Sequence, residues 1–252
     1  MRKGDNQKII KVTLATFAMF ACMLLMGKNY MYNNGLSGEY TNTEPSAEQI
    51  KVACIGDSIT YGHGVSDWKK NNYPAVLQQL LGEKYHVANF GSSGACVNPE
   101  GDQPYVGREI YQEALAYEAD IIIFMMGTND AKPENWTNAD DFIEDYMSLL
   151  GSFQKGDKSP KVYLALCAEA YYTEGADKST GMAKYDIQPK VVDEIAKRID
   201  LYAALSAVWM DVIDIHSITE AHPEWFEADG IHPNNDGAKA IAEAVADAIL
   251  DK

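Results

Sequence analysis

Nucleophilic catalysis by a hydroxyl requires a serine, a histidine that accepts its proton and an acid that orients the histidine. This sequence contains all three residue types in suitable segments. Asp229 and His232 stand three residues apart, so the carboxylate can accept a hydrogen bond from one imidazole nitrogen while the other nitrogen faces a hydroxyl. Ser58, in the segment Gly-Asp-Ser-Ile-Thr at residues 56–60, would supply that hydroxyl. We predict Ser58 as the nucleophile, His232 as the general base and Asp229 as the residue that orients the base. By itself, a serine after an aspartate also fits an ordinary helix cap.

Three groups could stabilise the negative charge that develops when a serine attacks a carbonyl. The first is the backbone N–H of Ser58, at the start of a helix or loop. Gly94 ends a loop with two glycines, residues 89–94, and offers a second N–H, while Asn129 in Gly-Thr-Asn-Asp offers a side-chain amide. Taken singly, the Gly94 loop fits a plain glycine-rich turn and Asn129 fits an Asx-turn or cap.

These segments follow strands of a predicted parallel sheet. From Ile50 onward, short β-rich runs alternate with amphipathic helical stretches, which indicates an α/β fold built as a three-layer α/β/α sandwich. Ligand crevices in such sheets lie beyond the carboxyl ends of the strands, so residues after each strand become candidates for a site. The predicted strands are residues 51–55, 86–90, 120–126, 161–167 and 209–213. The predicted helices are residues 73–81, 106–117, 140–153, 187–205 and 236–250.

Taken together, the four segments resemble the blocks of the SGNH, or GDSL, hydrolase family. They are Gly-Asp-Ser at 56–58, Gly94 in its loop, Gly-x-Asn-Asp at 127–130 and Asp-x-x-His at 229–232. The resemblance covers roughly residues 50–250. It implies a flavodoxin-like five-stranded parallel sheet, a Ser58–His232–Asp229 triad and an oxyanion hole of Ser58, Gly94 and Asn129. Ile59 stands where the family name has leucine, at a position that we expect to face the core.

The resemblance also implies a substrate class, namely esters of acetylated carbohydrate that are hydrolysed through an acyl-enzyme. Aromatic side chains near the predicted strand ends could offer flat faces to a sugar, and Tyr171, Tyr172 and Trp225 are the candidates. Packing of the core or rim explains most of these aromatic residues equally well. The loop at residues 168–187, which contains both tyrosines, is long enough to shape a pocket.

Two other functions fit the same sequence. A lysophospholipase or thioesterase would use the same catalytic residues on a longer acyl chain. A non-catalytic glycan-binding protein at the cell surface could keep the fold without hydrolysis, although the presence of Ser58, Asn129, Asp229 and His232 argues against it.

Composition excludes other classes of partner. The formal net charge of −16 argues against nucleic acid, whose binding depends on Lys and Arg that neutralise phosphates. The four cysteines show no CxxC spacing, and no cluster of His and carboxylate residues has ligand spacing, so we predict neither metal nor cofactor. Cys54 and Cys167 fit buried strand positions, and the role of Cys96 is open.

The N-terminal segment predicts export. Residues 1–11 carry four basic side chains, and the uncharged stretch at 12–26 is shorter than the roughly 20 residues of a comfortable membrane span. Residues 1–27 therefore fit a cleaved signal peptide or a signal anchor, and residues 28–48 fit a flexible tether. We expect the catalytic domain, residues 49–252, to be secreted or attached to the outer face of the membrane.

Overall fold

Five parallel strands form a single sheet in the computed structural model, which describes residues 42–154, 159–171, 185–206 and 210–251. Their order across the sheet is β2-β1-β3-β4-β5, and every pair is parallel. The strands are β1 (Ile50–Gly56), β2 (Tyr85–Gly91), β3 (Ile121–Met125), β4 (Lys161–Ala165) and β5 (Asp211–Ile213). The predicted α/β class and the five-stranded parallel sheet are confirmed.

Eight α-helices lie between and around these strands in the described ranges. They are α1 (Ser58–Tyr61), α2 (Trp68–Asn71), α3 (Tyr73–Leu81), α4 (Glu109–Tyr117), α5 (Ala139–Ser152), α6 (Pro189–Leu205), α7 (Ile215–Glu220) and α8 (Asn235–Leu250). Short 3₁₀ turns span Tyr105–Gly107, Thr128–Ala131 and Pro223–Trp225.

The helices cover both faces of the sheet. On one face, α4, α5 and α6 pack against a cluster that includes Ile55 of β1 and Phe124 of β3. On the other face, α3 and α8 pack against a cluster that includes Cys54 and Ile123 of the same strands. Neighbouring strand residues thus enter opposite cores, as period-two alternation requires, and the three-layer prediction is confirmed.

Several predicted elements have other bounds in the structure, and for two of them the reason is local. The strand predicted at 161–167 stops at Ala165, because its neighbour β5 ends at Ile213 and Asp214 then caps α7 by accepting from the Ser217 N–H at 2.9 Å. The helix predicted from residue 187 begins at Pro189, whose missing N–H suits the first helical position. Residues 207–209, which include the predicted start of β5, lie outside the described residues.

The strand register brings the site-bearing segments to one edge of the sheet. Gly56 at the end of β1 pairs with Gly91 of β2 and with Met125 of β3. A Cβ added at Gly91 would lie 2.1 Å from the backbone nitrogen of Tyr61, so helix α1 can cross the strand ends only over a glycine. The loops that follow β1, β2 and β3 therefore start level with one another.

The described cysteines lie in the interior. Cys54 and Cys167 are buried, as predicted, and burial raises the pKa of the Cys54 thiol to about 12. Cys96 is buried as well, and its thiol lies 3.5 Å from the Asn98 carbonyl oxygen. Burial raises the pKa of Cys96 to about 12, which keeps the thiol protonated and poorly nucleophilic.

The predicted signal segment at 1–27 and most of the predicted tether at 28–48 fall outside the described residues, which start at residue 42. Within the described residues, every helix is too short or too polar to cross a membrane.

Candidate active site

Ser58, His232 and Asp229 form one chain of hydrogen-bonded side chains. The Ser58 Oγ lies 2.9 Å from His232 Nε2, and His232 Nδ1 lies 2.6 Å from Asp229 Oδ2. An ionised carboxylate has no proton to donate, so Asp229 can only accept a hydrogen bond from His232 Nδ1. The neutral imidazole therefore carries its proton on Nδ1, and Nε2 can accept from the serine hydroxyl. The structure brings the three residues predicted from sequence together in the order that the prediction requires.

The loop before α8 holds this histidine through its own backbone. Asp229 Oδ1 accepts from the N–H groups of Ile231 at 2.9 Å and His232 at 3.0 Å, while Oδ2 faces the imidazole. Gly230 between them has a φ of +70°, and a Cβ there would lie 2.3 Å from the Tyr171 carbonyl oxygen. The spacing Asp-Gly-x-His therefore encodes a tight turn that aims the carboxylate at the ring.

Asp229 is ionised across the whole physiological pH range. Partial burial acts to raise its pKa, but hydrogen bonds and charge interaction with His232, together with two backbone N–H groups, lower the pKa to about 2. The His232 side chain is almost fully buried, so an imidazolium formed there would be stabilised chiefly by this carboxylate.

Ser58 is the first residue of α1, directly after the capping residue Asp57. The Asp57 side chain accepts from the Ile59 N–H at 2.9 Å, so the aspartate of the Gly-Asp-Ser motif is a helix cap. Its carboxyl is fully buried, and burial raises its pKa to about 6. The cap fixes the backbone of Ser58, whose side chain is left facing His232.

Gly94 and Asn129 lie next to each other. The Asn129 side-chain N–H donates to the Ala95 carbonyl oxygen at 3.1 Å, one residue beyond Gly94. An amide carries two N–H groups, and this bond uses one of them. Asn135 donates to the Asn129 carbonyl oxygen at 2.8 Å and holds that turn, and Gly94 has a φ of +81°. Both predicted oxyanion donors thus lie in loops that follow β2 and β3.

Asp130 connects the turn that follows β3 to the loop that follows β2 through hydrogen bonds. Its carboxyl accepts from the backbone N–H groups of Val97 at 3.0 Å and Asn98 at 3.1 Å. The group is fully buried, and burial raises its pKa to about 7 despite these bonds. Asp130 therefore braces the loop that carries Gly94 against the turn that carries Asn129.

The matches to known proteins agree with this geometry. The model of the GDSL-like lipase/acylhydrolase family matches residues 54–240, which contain all four predicted motifs. The chain belongs to this family. The resemblance predicted from sequence is thereby confirmed, and the GDSL motif begins two residues before Ser58.

Relatives of this family member include esterases. An acetylxylan esterase of Xylanibacter ruminicola is 34% identical over 224 residues, which are 81% of this chain and 44% of the relative. The chain thus spans less than half of that relative's length. A carbohydrate acetylesterase family member of Sinorhizobium meliloti has the same fold, with a TM-score of 0.64, 21% identity and coverage of 80% of this chain and 97% of the other. The aryl esterase of M. smegmatis gives a TM-score of 0.63 at 18% identity, covering 80% and 98%.

Two aromatic rings that the sequence did not single out contact the His232 imidazole of this GDSL family member. The His63 ring lies 4.2 Å from the His232 ring, and the Tyr185 ring meets it edge-on at 5.4 Å. His63 lies five residues after Ser58, just beyond the end of α1. This short distance along the chain is the one local signal that could have indicated a position near the site.

The predicted substrate aromatics have packing contacts. The Tyr171 hydroxyl donates to the carbonyl oxygens of Thr219 and Glu220, the latter at 2.7 Å, and its ring meets Phe226 edge-on. The Trp225 ring stacks on His222 with 3.7 Å between centroids. Tyr172 lies outside the described residues. A substrate role for all three stays a prediction.

One cluster of potential metal ligands is found among the described residues, where the sequence indicated none. Glu169, Asp193 and His216 each direct one donor atom into a group whose members lie within 4.8 Å of one another. They belong to the segment after β4, to α6 and to α7, so their spacing along the chain gives no sign of a site.

Proposed function

We propose that this protein is a serine esterase that hydrolyses carboxylic esters through an acyl-enzyme on Ser58. The observation that carries the proposal is the continuous hydrogen-bonded chain from Ser58 Oγ through His232 to Asp229, at 2.9 Å and 2.6 Å. These are the distances at which a base accepts a proton from a nucleophile and a carboxylate orients that base.

The reaction would follow from the tautomer that Asp229 imposes. As Ser58 Oγ bonds to the ester carbonyl carbon, its proton passes to His232 Nε2, and the carbonyl π electrons move onto the oxygen. The imidazolium then gives this proton to the leaving alcohol as the C–O bond breaks, which leaves an acyl-serine. Water repeats the sequence on the acyl group, with His232 again as the base, and releases the acid.

The oxyanion would be held by the N–H groups of Ser58 and Gly94 and by the side-chain amide of Asn129. The braced loops favour this role, since donors that are already oriented need no reorganisation when charge develops. Asn129 is fixed through Asn135 and Ala95, and Asp130 clamps the loop beyond Gly94.

For the substrate, we propose an O-acetylated carbohydrate. Support comes from the acetylxylan esterase that is 34% identical to this chain and from the fold shared with a carbohydrate acetylesterase. The partner would accordingly be a glycan ester or a smaller ester.

The test compares p-nitrophenyl acetate, butyrate and octanoate as substrates of the purified protein, with Ser58→Ala alongside. We expect acetate to be turned over fastest and the variant to lose nearly all activity. Acetate release from acetylated xylan oligosaccharides, absent in the variant, would then support a carbohydrate deacetylase.

Two other outcomes would replace this proposal. A clear optimum on octanoate would indicate a lysophospholipase or thioesterase. No ester turnover, together with retained affinity for glycans, would indicate a binding protein that kept the fold.

We further propose that the protein acts outside the cytoplasm. The support is the basic segment at 1–11 followed by the uncharged stretch at 12–26. Fractionation of cells that express the full chain should recover the esterase in the medium or, if the segment is retained, in the membrane fraction. Recovery from the cytosol alone would contradict the proposal.

A further inference from the structure

A second histidine is surrounded by carboxylates near the edge strand β5. The His216 Nε2 lies 3.3 Å from Glu169 Oε2 and 3.4 Å from Asp193 Oδ1. The side chains of His216 and Glu169 are 14% and 12% exposed, and that of Asp193 is 41% exposed. The three residues thus form a largely buried group with one side open to solvent.

His216 and Glu169 are the two more deeply buried residues of the group. In each of them, the side-chain polar atom that faces away from the group already has a hydrogen-bond partner. The His216 Nδ1 lies 3.2 Å from the Cys167 carbonyl oxygen, which can only accept, so the neutral ring carries its proton there. Glu169 Oε1 accepts from the Ala170 N–H at 2.9 Å. Nε2 of the histidine and Oε2 of the glutamate therefore face the centre of the group with their lone pairs. Such outer hydrogen bonds are what orient ligands around metal ions.

The distances from His216 Nε2 to Glu169 Oε2 and Asp193 Oδ1 fit ligand atoms around a metal ion better than they fit a hydrogen-bonded ion pair. Charge-assisted N–H···O bonds are about 2.7–2.9 Å long, as seen in this chain for His222 Nδ1 and Glu224 Oε1 at 2.8 Å. By contrast, a tetrahedral zinc ion with bonds of about 2.0–2.1 Å to nitrogen and oxygen places its ligand atoms about 3.3–3.4 Å apart. The two separations around His216 are close to this edge length, and the three donor atoms all lie within 4.8 Å of one another.

Charge and access favour a cation as well. The group lies in an open cleft of about 430 Å³, whose lining also includes the carboxylates of Asp200, Asp214 and Glu220. Lys190 and Lys197 are the basic residues of the same lining, so acidic side chains outnumber them. An ion can enter from solvent, and a water molecule can complete its coordination.

We propose that Glu169, Asp193 and His216 bind one zinc ion through Oε2, Oδ1 and Nε2, with water as the fourth ligand. The site would join the segment after β4 to helices α6 and α7. Two residues from Glu169, the Tyr171 N–H donates to the Gly230 carbonyl oxygen at 2.8 Å, next to Asp229. Zinc at this position would stabilise the segment against which the catalytic Asp-Gly-x-His turn packs. It would take no part in the ester chemistry.

The experiment measures zinc binding to the metal-stripped full chain by isothermal titration calorimetry, with the zinc content of the dialysed protein determined by mass spectrometry. We expect one zinc ion per chain and a melting temperature that rises with free zinc concentration, because an ion that binds only the folded state stabilises it. Calcium and magnesium, which prefer more oxygen ligands, should bind more weakly.

The variant His216→Ala removes one ligand and Asp193→Asn removes the negative charge of another, and Asp193 is exposed enough that the fold should tolerate the change. Both should weaken zinc binding by more than the roughly 10- to 100-fold that loss of an outer hydrogen-bond partner costs. His222→Ala is the matched control, since this exposed histidine also pairs with a carboxylate but lies outside the group. Zinc affinity that is equal in wild type and both ligand variants, absence of zinc binding, or preference for calcium would overturn the proposal.

Discussion

His232 and His216 both have acidic partners, and the difference lies in which ring nitrogen meets which group. At His232, a carboxylate accepts from Nδ1 at 2.6 Å and a serine hydroxyl faces Nε2. At His216, a neutral backbone carbonyl faces Nδ1 at 3.2 Å and two carboxylates face Nε2. The first arrangement leaves Nε2 to accept a proton from the serine hydroxyl, whereas the second directs Nε2 at two carboxylates in a cleft that is open to solvent. The group that faces each ring nitrogen determines whether a histidine is suited to act as a general base or as a metal ligand.

Replacing each histidine by alanine gives the most direct test of this contrast. His232→Ala removes the proposed base and should lower kcat on p-nitrophenyl acetate by about 10⁶-fold, the order found when a serine triad loses its histidine. His216→Ala should cause a far smaller loss, because its ring faces carboxylates and not the nucleophile. If both variants lost turnover to the same extent, with circular dichroism showing both to be folded, the separation of the two sites would be wrong.

Asp229→Asn tests the role of the carboxylate at Nδ1. The amide can donate to that nitrogen and so favours the tautomer with its proton on Nε2, where it can no longer accept from Ser58. We expect kcat to fall by about 10⁴-fold with little change in KM. Asp140→Asn, an exposed aspartate paired with Arg198, is the control and should leave kcat unchanged. A loss below tenfold in Asp229→Asn would show that the carboxylate does not set the tautomer.

Sequence and structure agree best where the site is local. The Asp-Gly-x-His turn closes within four residues, and Ser58 follows its own cap, so the sequence could predict both. The Glu169, Asp193 and His216 group could not be predicted, because three separate elements bring it together. Tyr185 covers His232 from just before α6 for the same reason, with no local pattern to indicate it. Short-range hydrogen bonding can be inferred from a motif, whereas convergence of distant elements depends on how helices pack on the sheet.

Asn129→Ala should reveal how much the amide contributes to the transition state. Loss of one oxyanion donor costs about 10²- to 10³-fold in kcat, so the variant should be slow and still measurable. Asn138→Ala is a useful control, because it removes the side chain that caps α5 and should cost stability without loss of kcat. Equal kcat in Asn129→Ala and wild type would remove Asn129 from the oxyanion hole.

Asp130 contrasts with Asp229, since neutral backbone N–H groups face its carboxyl and no imidazole does. Its pKa is raised to about 7 in the folded protein from 3.8, so the folded state keeps a proton that the unfolded chain has lost. The free energy of unfolding should therefore fall as pH rises from about 4 to about 7. Asp130→Asn keeps an acceptor for Val97 and Asn98 and should reduce that fall by a few kcal/mol, the order expected for such a shift.

Urea unfolding of Asp130→Asn and wild type at pH 4.5, 6 and 8 checks this expectation, with Asp140→Asn as the exposed control. Some pH dependence should persist in Asp130→Asn, because the pKa of buried Asp57 is also raised, to about 6. Parallel curves for all three proteins would mean that Asp130 titrates near its ordinary value.

The smallest expected effect concerns Tyr171, whose backbone joins the catalytic turn to the segment of the proposed zinc site. Tyr171→Phe removes a hydroxyl whose proton is shared between the carbonyl oxygens of Thr219 and Glu220 and which accepts from the His222 N–H at 3.2 Å. We expect a loss of about 1 kcal/mol in the free energy of unfolding, as for one net hydrogen bond, with kcat and KM on acetylated xylan nearly unchanged. A several-fold rise in KM without loss of stability would instead assign the hydroxyl to sugar binding. Because the ring and its contact with Phe226 persist in phenylalanine, this variant separates the hydroxyl from the packing.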